Sequence, residues 1–270
     1  MAFESQLTGS RSTQVALSII VPAYNEETRL PKTLERIHGY LSSRAFTAEV
    51  IVVDDGSSDG TARVVERALA NFSELRLISN GSNRGKGFSV RHGMLKARGE
   101  ITLFTDADLS APIEEADKLI AAISMEAYDL AIGSRASGEL IEVHQSILRR
   151  MAGKIFNVLV RVGTGVNFGD TQCGFKAFRR ESTRILFEQQ LIAGFGFYPE
   201  VLFLARYHGL KVAEVPVRWA HVDGTKVHVF TDSLRMFWDL AKIRWNAFAG
   251  AYQCSPRASH TREKQASAPV

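Results

Sequence analysis

The chain has 270 residues, and its 33 lysine and arginine residues against 29 acidic residues give a formal net charge of +4. Hydrophobic residues make up 45% and charged residues 23%, which is ordinary for a globular protein and excludes the disordered, collagen-like and coiled-coil classes. Two cysteines, Cys173 and Cys254, are too few for a disulfide framework or a four-cysteine zinc site, which favours a reducing compartment. The length allows one large domain or two small ones.

The residues up to Leu17 include an early acid and no apolar stretch, and no run of about 18 apolar residues occurs further along. Neither a secretory signal nor a conventional membrane span is therefore predicted. We expect a cytoplasmic protein, for which contact with the inner face of a membrane stays open at this point.

Short β-branched runs alternate with longer helical patterns, which is typical of βα units on a parallel sheet. Strands are predicted at 17–21, 50–53, 75–79, 101–105, 129–132 and 212–219. Helical patterns cover 30–42, 60–70, 85–97, 113–123, 145–162, 199–207 and 232–248. Because parallel strands are normally buried on both faces, we predict an α/β fold with an open, mostly parallel sheet flanked by helices.

The chain is predicted to divide into four parts. An N-terminal extension covers 1–15, the main domain 16–228, an amphipathic C-terminal helix 229–252, and a tail 253–270. The tail is polar, contains two prolines and lacks periodicity, so we predict that it is disordered.

Ligands of open α/β sheets bind beyond the carboxyl ends of the strands. The segments that follow the predicted strands are rich in carboxylates, glycines and basic residues, and they cover 22–26, 54–59, 80–87, 106–108 and 133–135. These segments are far apart in sequence but meet at one edge of the sheet. We therefore expect an active cleft there.

Asp106 and Asp108 end an apolar strand, and where the chain turns both can meet one hard cation. A divalent ion held by few protein carboxylates keeps sites open for phosphate oxygens. The alternative is a helix cap, in which Asp108 or Ser110 starts the helix near Pro112. The residues alone leave both interpretations open.

Asp54 and Asp55 follow the second predicted strand and can hold a ribose diol or a base edge, as an acid after a Rossmann strand does. The alternative is a turn with an N-cap, because the following residues are dense in turn formers. We expect both: Gly56 to Asp59 turn the chain and cap the helix, while the two acids face the ligand.

Segment 83–87 places Arg84 and Lys86 among glycines before a helix, where backbone amides, the helix dipole and Lys86 can receive a diphosphate. Its spacing is not that of a Walker A loop, and no GxGxxG occurs, so ATPase and Rossmann dehydrogenase classes lose support. Segment 170–176 is interpreted as a loop leading into an edge strand. Cys173 there is interpreted as a buried small side chain, since no histidine lies beside it.

Seven segments, taken in order, resemble the inverting family 2 nucleotide-sugar glycosyltransferases, and within them the polyprenyl-phosphate sugar synthases that make dolichyl-phosphate glucose and mannose. They are SIIVPAYNEE at 18–27, VIVVDDGSSDGT at 50–61, NRGKGFSVRHGM at 83–94, FTDADLSAP at 104–112, IGSR at 132–135, DTQCGFKAF at 170–178, and EVPVRW with GTK within 214–226. The resemblance implies the A-type glycosyltransferase fold. It also implies metal-dependent transfer of a hexose from a nucleotide sugar to a polyprenyl phosphate with inversion, using Mg²⁺ or Mn²⁺.

The resemblance also implies roles for single residues. Contacts with the nucleotide sugar are expected from Pro22, Tyr24, Glu26, Asp54, Asp55, Lys86 and Asp106. Asp54 is included because of its position at the end of a strand. Metal ligands are expected to be Asp106 and Asp108. The acceptor phosphate is expected to be held by Arg135, Arg149, Arg150 and Lys226. Catalytic roles are expected for Asp108, Arg135 and Asp170.

The chemistry limits what Asp170 has to do. A phosphate monoester has a second pKa of about 6, so it is already an anionic nucleophile at neutral pH and hardly needs a general base. Positioning and charge stabilisation can then supply most of the catalysis. Asp170 would act as a base for a sugar hydroxyl acceptor, whereas for a phosphate we assign it to positioning the donor sugar or the acceptor.

Two departures bear on the donor. Mannosyl members often carry Gln two residues after the second acid, where this chain has Ser110, and a further Arg where His221 stands. UDP-glucose is therefore expected before GDP-mannose, and no nucleic acid is expected as a partner. Two alternatives stay open: a soluble family 2 enzyme acting on a polysaccharide or small molecule, and a nucleotide-sugar-binding regulator without catalysis.

The last predicted helix has a narrow polar stripe on an otherwise largely apolar surface, formed by Arg235, Asp239, Lys242 and Asn246. Such a helix packs against the domain, which is the commoner outcome, or lies at a membrane interface with its two tryptophans. The basic residues near and beyond its end outnumber Glu263, which suits contact with anionic lipid.

Overall fold

The computed structural model describes residues 15–135, 158, 160, 161, 163–220 and 229–252, with the backbone alone for 229–234. Arg149, Arg150, His221 and Lys226, most of the predicted helix 145–162 and the predicted tail lie outside the described residues. The division of the chain into four parts stays a prediction.

A seven-stranded sheet forms the centre of the described structure. Its strands are β1 Leu17–Ala23, β2 Ala48–Asp54, β3 Leu75–Ser79, β4 Ile101–Phe104, β5 Leu130–Ser134, β6 Lys176–Arg179 and β7 Val212–Pro216. They lie in the order β3-β2-β1-β4-β6-β5-β7, and only β6 runs antiparallel to its neighbours. The mostly parallel sheet is therefore as predicted.

Two predicted details of the sheet are wrong. The strand entered from segment 170–176 is not at an edge, because β6 lies between β4 and β5. The last strand ends at Pro216 rather than at Trp219. Both errors have local causes: β6 is four residues long and carries Lys176 and Arg179 at its ends, and β7 loses its partner where β5 ends at Ser134, the residue that pairs with Pro216.

Helices cover both faces of the sheet. They are α1 Leu30–Ser42, α2 Thr61–Ala68, α3 Lys86–Lys96, α4 Ala116–Met125, α5 Arg180–Gln189, α6 Phe197–Tyr207 and α7 Val229–Phe248, with a 3₁₀ turn at Ile113–Glu115 before α4. Alternate strand residues supply two cores: Ile19 and Val21 pack towards α1 and α4, whereas Ile20 packs towards α3, α5 and α6. Every residue of β1 is buried, as expected of a strand covered on both sides.

The direction of β6 brings its preceding loop to the functional edge of the sheet. Lys176, the first residue of β6, pairs with Phe104 near the end of β4 and with Ile132 of β5. The loop 170–175 therefore arrives beside the carboxyl ends of these strands, together with the segments that follow β1, β2 and β4. In the described part of the chain, no helix is both long and apolar enough to cross a membrane.

Candidate active site

Asp106 and Asp108 lie on a tight turn directly after β4. The turn is closed by the Leu109 amide, which donates to the Asp106 carbonyl at 3.1 Å, and Leu109 has a φ of +45° that L residues rarely adopt. Burial of the Leu109 side chain in the core anchors this conformation. From α1, the Thr33 hydroxyl donates to the Ala107 carbonyl at 2.6 Å. The turn is thus fixed by the fold.

Neither acid caps the following helix. The 3₁₀ turn at Ile113–Glu115 has Pro112 at its N-cap and no side-chain hydrogen bond there. Asp108 accepts a hydrogen bond from the Ser110 amide at 2.9 Å, which stabilises the turn itself. The helix-capping alternative for Asp108 and Ser110 is therefore not what the structure shows.

Lys86, the first residue of α3, reaches across to the Asp106 carboxylate, with 2.6 Å between Nζ and Oδ1. Its Nζ also lies 5.6 Å from the Phe195 ring centroid and 5.5 Å from that of Tyr198. Burial alone would lower the pKa of Lys86, but the charge of Asp106 outweighs it and raises this pKa above its usual range. Lys86 is therefore a cation at neutral pH, next to a predicted metal ligand.

The residues of this turn fit a divalent cation. Asp106 and Asp108 offer hard oxygen donors, and among the described residues no cluster of three or more His, Cys, Asp or Glu side chains surrounds a common point. Two carboxylates suit Mg²⁺ or Mn²⁺ bound together with water and phosphate oxygens. Space beside Asp106 depends on Gly174, since a Cβ there would lie 2.2 Å from Asp106 Oδ2.

A small cleft opens beside this turn. Its walls are Thr105, Asp106, Ser110, Ala111, Cys173, Gly174, Phe175 and Trp219. The Ser110 carbonyl accepts a hydrogen bond from the Ala220 amide at 2.8 Å, which ties the chain after β7 to the turn after β4. Three segments that are distant in sequence therefore enclose one space.

Asp55 is buried and organises the loop before α3. Its carboxylate accepts hydrogen bonds from the amides of Arg84 at 3.0 Å and Gly85 at 2.8 Å, and from the Asn80 side chain at 2.7 Å. The Asn80 side-chain oxygen lies 2.8 Å from His92 Nδ1. Sequence reasoning missed Asn80, which acts through Asp55. Contact between Asp55 and a nucleotide stays a prediction.

The loop after β1 is joined to the loop after β2. Asn25, with a φ of +54°, accepts a hydrogen bond from the Ser58 amide at 2.8 Å, and its own amide donates to the Ser57 hydroxyl at 2.9 Å. The Ser57 amide in turn donates to Asp54 at 3.2 Å. The Asp59 carboxylate accepts from the Thr61 amide at 2.9 Å, so segment 56–59 turns the chain before α2 as predicted. The predicted cap is wrong, because the N-cap of α2 is Gly60, which has no side chain to form a cap hydrogen bond.

The three remaining residues with predicted nucleotide contacts lie on or beside the same loop. Pro22 belongs to β1, Tyr24 is exposed directly after it, and Glu26 pairs with Arg29 at 3.3 Å. The fold thus brings all the predicted nucleotide-binding residues to one edge of the sheet. Their contacts with a ligand stay predictions.

Asp170 and Arg135 form a bidentate ion pair. Arg135 Nε lies 2.6 Å from Oδ2 and Nη2 lies 2.9 Å from Oδ1, while the Arg135 amide also donates to Oδ2. Burial would raise the pKa of Asp170, but the Arg135 guanidinium outweighs it and holds this pKa below its ordinary value. A carboxylate held in this way is a weak base, which favours a positioning role for Asp170.

Lys176 is a buried cation that sequence reasoning missed. Its Nζ donates to the carbonyl oxygens of Thr171 and Cys173 and lies 4.7 Å from the Tyr198 ring centroid. Burial lowers its pKa to about 8. Lys176 therefore stabilises the conformation of loop 170–175 through these two hydrogen bonds. Cys173 is buried, and burial raises its pKa to about 11, so it is a thiol at neutral pH, consistent with a packed side chain.

Of the predicted acceptor-phosphate residues, only Arg135 lies within the described part of the chain. Its guanidinium carbon is 5.3 Å from the ring centroid of Trp219, which lines the cleft, and its charge is already shared with Asp170. The acceptor site is therefore represented here by one of its four predicted residues.

Comparison with known proteins gives three findings. The family model described as Glycosyl transferase family 2 matches residues 18–187. A dolichyl-phosphate beta-glucosyltransferase from Drosophila melanogaster is 39% identical over 255 residues, covering 90% of this chain and 78% of that protein. The Homo sapiens protein of the same name is 36% identical over 250 residues, covering 88% and 77%.

Among solved structures, a similar fold is found in glucosyl-3-phosphoglycerate synthase from Mycobacterium tuberculosis in complex with Mn²⁺, UDP-glucose and phosphoglyceric acid. The TM-score is 0.66 at 20% identity, and the alignment covers 89% of this chain and 82% of that one. At this identity the likeness concerns the fold.

Proposed function

This chain belongs to glycosyl transferase family 2, and from that premise we propose that it transfers glucose from a nucleotide sugar to dolichyl phosphate or a related polyprenyl phosphate, with inversion. Its fold is that of the A-type glycosyltransferases, as the sequence motifs predicted. The observation that carries the proposal is the turn after β4, where Asp106 and Asp108 lie beside Lys86 in a space kept open by Gly174.

The donor half of the reaction is assigned to this turn and to the loops after β1 and β2. Pro22, Tyr24, Glu26, Asp54 and Asp55 are proposed to hold the nucleoside. Asp106 and Asp108 would hold the cation, which when bound neutralises negative charge on the departing nucleoside diphosphate. The crystallised fold neighbour with Mn²⁺ and UDP-glucose supports Mg²⁺ or Mn²⁺, and UDP-glucose before GDP-mannose.

Lys86 is proposed to share the charge of the diphosphate. In the present structure it neutralises Asp106 at 2.6 Å. With Asp106 holding a cation instead, the Lys86 ammonium would be free to turn to a phosphate oxygen beside the N-terminus of α3, where the helix dipole also favours an anion.

The acceptor half is assigned to Arg135 together with Arg149, Arg150 and Lys226. These cations would hold the lipid phosphate so that one of its oxygens attacks C1 of the sugar opposite the leaving diphosphate. The new O–C1 bond forms as the C1–O bond to the diphosphate breaks, and the electron pair leaves with the nucleotide. Asp170 keeps Arg135 in place through two hydrogen bonds.

The exposed face of α7 supports contact with a membrane surface, where such an acceptor is found. Buried Leu240 and Ile243 pack this helix on the domain. The opposite side exposes large aromatic side chains, with exposed fractions of 49% for Phe237, 60% for Trp238, 68% for Trp245 and 85% for Phe248. Arg244 and Lys242 are exposed beside them, so we propose that α7 lies against an anionic lipid surface.

A transfer assay tests the function. Purified protein is incubated with labelled UDP-glucose or GDP-mannose, with and without dolichyl phosphate and Mg²⁺ or Mn²⁺. We expect lipid-extractable label that requires both lipid and metal and that is lost in Asp108→Asn, while the exposed control Glu66→Gln keeps wild-type turnover. Label only in a water-soluble product would support the polysaccharide or small-molecule alternative. Nucleotide binding without turnover would support the regulator.

A vesicle assay tests the membrane contact separately. Sedimentation with phosphatidylserine-containing vesicles should retain the wild-type protein and release the double variant Trp238→Ser, Trp245→Ser. Equal retention of both proteins would contradict the role of α7.

A further inference from the structure

Glu200, in the first turn of α6, is a fully buried carboxylate whose hydrogen-bond partners are neutral donors. Its Oε1 accepts from the Leu191 amide at 3.0 Å and from the Tyr252 hydroxyl at 2.7 Å, and its Oε2 accepts from the Ile192 amide at 2.9 Å. Among the described residues no lysine or arginine forms an ion pair with it. A buried carboxylate is stable only if such bonds are complete, so each of these donors matters.

Two of the donors belong to segment 190–194, which is the first part of the connection between α5 and α6 and packs on the start of α3. The Phe88 amide donates to the Ala193 carbonyl at 3.1 Å, and the Gln190 side chain donates to the Gly87 carbonyl at 2.8 Å. The backbone of Gly85 lies so close to this segment that a Cβ at Gly85 would be 2.6 Å from the Ala193 carbonyl oxygen. The position of this segment therefore sets the position of residues 85–88.

Lys86 lies between these two glycines. Its ammonium is enclosed by Asp106 and by the rings of Phe195 and Tyr198, and Phe195 follows directly on segment 190–194. A shift of the segment would move both the backbone and the aromatic surroundings of Lys86.

The third donor comes from the C-terminal end of the described chain. Tyr252 follows α7, and its side chain is buried against Phe203, with 6.0 Å between ring centroids. The α7 helix also packs near the other end of the α5–α6 connection, since a Cβ on Gly196 would lie 2.5 Å from Asp239 Cβ. The C-terminal helix therefore contacts this connection at two places.

We infer that Glu200 is a positioning residue for the diphosphate site, and that the Tyr252 hydroxyl couples the C-terminal helix to Lys86 through it. The inference rests on the proposed function, because that is where Lys86 is assigned to the diphosphate. It assigns α7 and Tyr252 a part in donor binding, in addition to any contact with lipid.

The chain offers a matched pair of variants for the test. Tyr252→Phe and Tyr40→Phe each remove a hydroxyl that lies 2.7 Å from a carboxylate oxygen, the partner of Tyr40 being Asp117. Tyr40 belongs to the core on the other face of the sheet, and Asp117 is half-buried beside it. Both variants keep the aromatic ring and lose only the hydroxyl. An effect that came only from a general loss of stability would therefore appear in both proteins.

The readouts are the Kd for UDP with Mg²⁺, the KM and kcat of transfer, and hydrogen exchange at the Phe88 amide. For Tyr252→Phe we expect Kd and KM to rise by about fivefold to tenfold, less than for a hydrogen bond lost to a charged group at the site itself, because the effect is transmitted through segment 190–194. The kcat at saturating donor should change little. Exchange at Phe88 should become faster. Tyr40→Phe should leave all of these values at the wild-type level.

Unchanged UDP affinity in Tyr252→Phe would overturn the inference, and so would an equal loss in Tyr40→Phe. If the wild-type protein binds no UDP, the proposed function fails on its own. Exchange at Phe88 needs no nucleotide, and equal rates in wild type and Tyr252→Phe would then overturn the coupling, whereas faster exchange confined to Tyr252→Phe would support it.

Discussion

Replacing Gly174 by alanine displaces the Asp106 carboxylate without removing any charged group. The new Cβ would lie 2.2 Å from Asp106 Oδ2, whereas ordinary contacts begin near 3.4 Å. Asp106 is short and is held at 2.6 Å by Lys86, so the carboxylate has to move by about 1 Å. A displacement of about 1 Å in a reacting arrangement costs on the order of 100-fold in rate.

The assay is transfer from UDP-glucose as a function of Mg²⁺ or Mn²⁺ concentration, with thermal unfolding measured in parallel. We expect Gly174→Ala to lose about 100-fold in turnover and to need more metal for half-maximal rate, because the carboxylate of Asp106, the proposed metal ligand, is displaced. The control is Gly39→Ala in α1, where a Cβ meets nothing within 4 Å. It should keep full turnover and gain about 0.5–1 kcal/mol in stability.

Wild-type turnover and metal dependence in Gly174→Ala would refute the reasoning, since the alanine would then fit without moving Asp106. A loss of turnover with unchanged metal dependence would place the effect on loop 170–175 rather than on the metal ligand.

Three further predictions concern charged side chains of the site. Lys86→Met should raise the Kd for UDP by about tenfold in calorimetry, because a cation beside the diphosphate is lost; an unchanged Kd would remove Lys86 from that site. Burial would raise the pKa of Asp170, but Arg135 keeps the folded pKa below the unfolded value. Asp170 therefore stabilises the fold at pH values above its unfolded pKa. This stabilisation is lost as the pH falls through the folded pKa. Urea unfolding between about pH 5 and pH 2 should therefore show a weaker pH dependence in Asp170→Asn, and equal slopes would contradict the ion pair. Burial lowers the pKa of Lys176 in the folded protein to about 8. Between that pH and about pH 10 the unfolded state binds more protons than the folded state. The free energy of unfolding of the wild type should therefore rise with pH over this range, relative to that of Lys176→Met. A flat difference between the two proteins would show that burial does not lower the pKa of Lys176.

The first half of the fold could be predicted from the sequence because its strands are buried on both faces. Runs such as Leu17–Ala23 and Ala48–Asp54 are nearly continuous in apolar residues, and the rule about the carboxyl ends of strands then located the cleft. The strand β6 lacks such a run, and α5 has few apolar residues, so their patterns are weak.

The residues that sequence reasoning missed act through contacts that no spacing reveals. Asn80 reaches Asp55 across 25 positions, and Glu200 reaches Tyr252 across 52. In sequence, Glu200 looks like an ordinary acid in the first turn of a helix. Its importance follows only from two loop amides and a phenol that the fold places around it.

The C-terminal helix shows why a polar stripe alone did not decide its environment. Asp239 and Asn246 belong to the predicted stripe, yet Asp239 packs near Gly196 and Asn246 donates to the Tyr252 hydroxyl at 3.4 Å. Lys242 of the same stripe is largely exposed. The stripe thus lies at the border between the packed and the exposed faces. Packing on the domain is confirmed for one side of the helix, and membrane contact of the other side stays a proposal.

The neighbouring positions of β5 and β6 have a consequence for how such an enzyme can change. The chain leaves the sheet after Ser134 and returns at Lys176, and Lys176 pairs with Ile132, so departure and return occur side by side. Residues inserted or deleted within 136–157, before the buried Val160, would leave the register of every described strand as it is. Under the roles proposed for Arg149 and Arg150, evolution can therefore lengthen or rewrite this one segment to fit a new acceptor while the proposed donor loops are inherited unaltered.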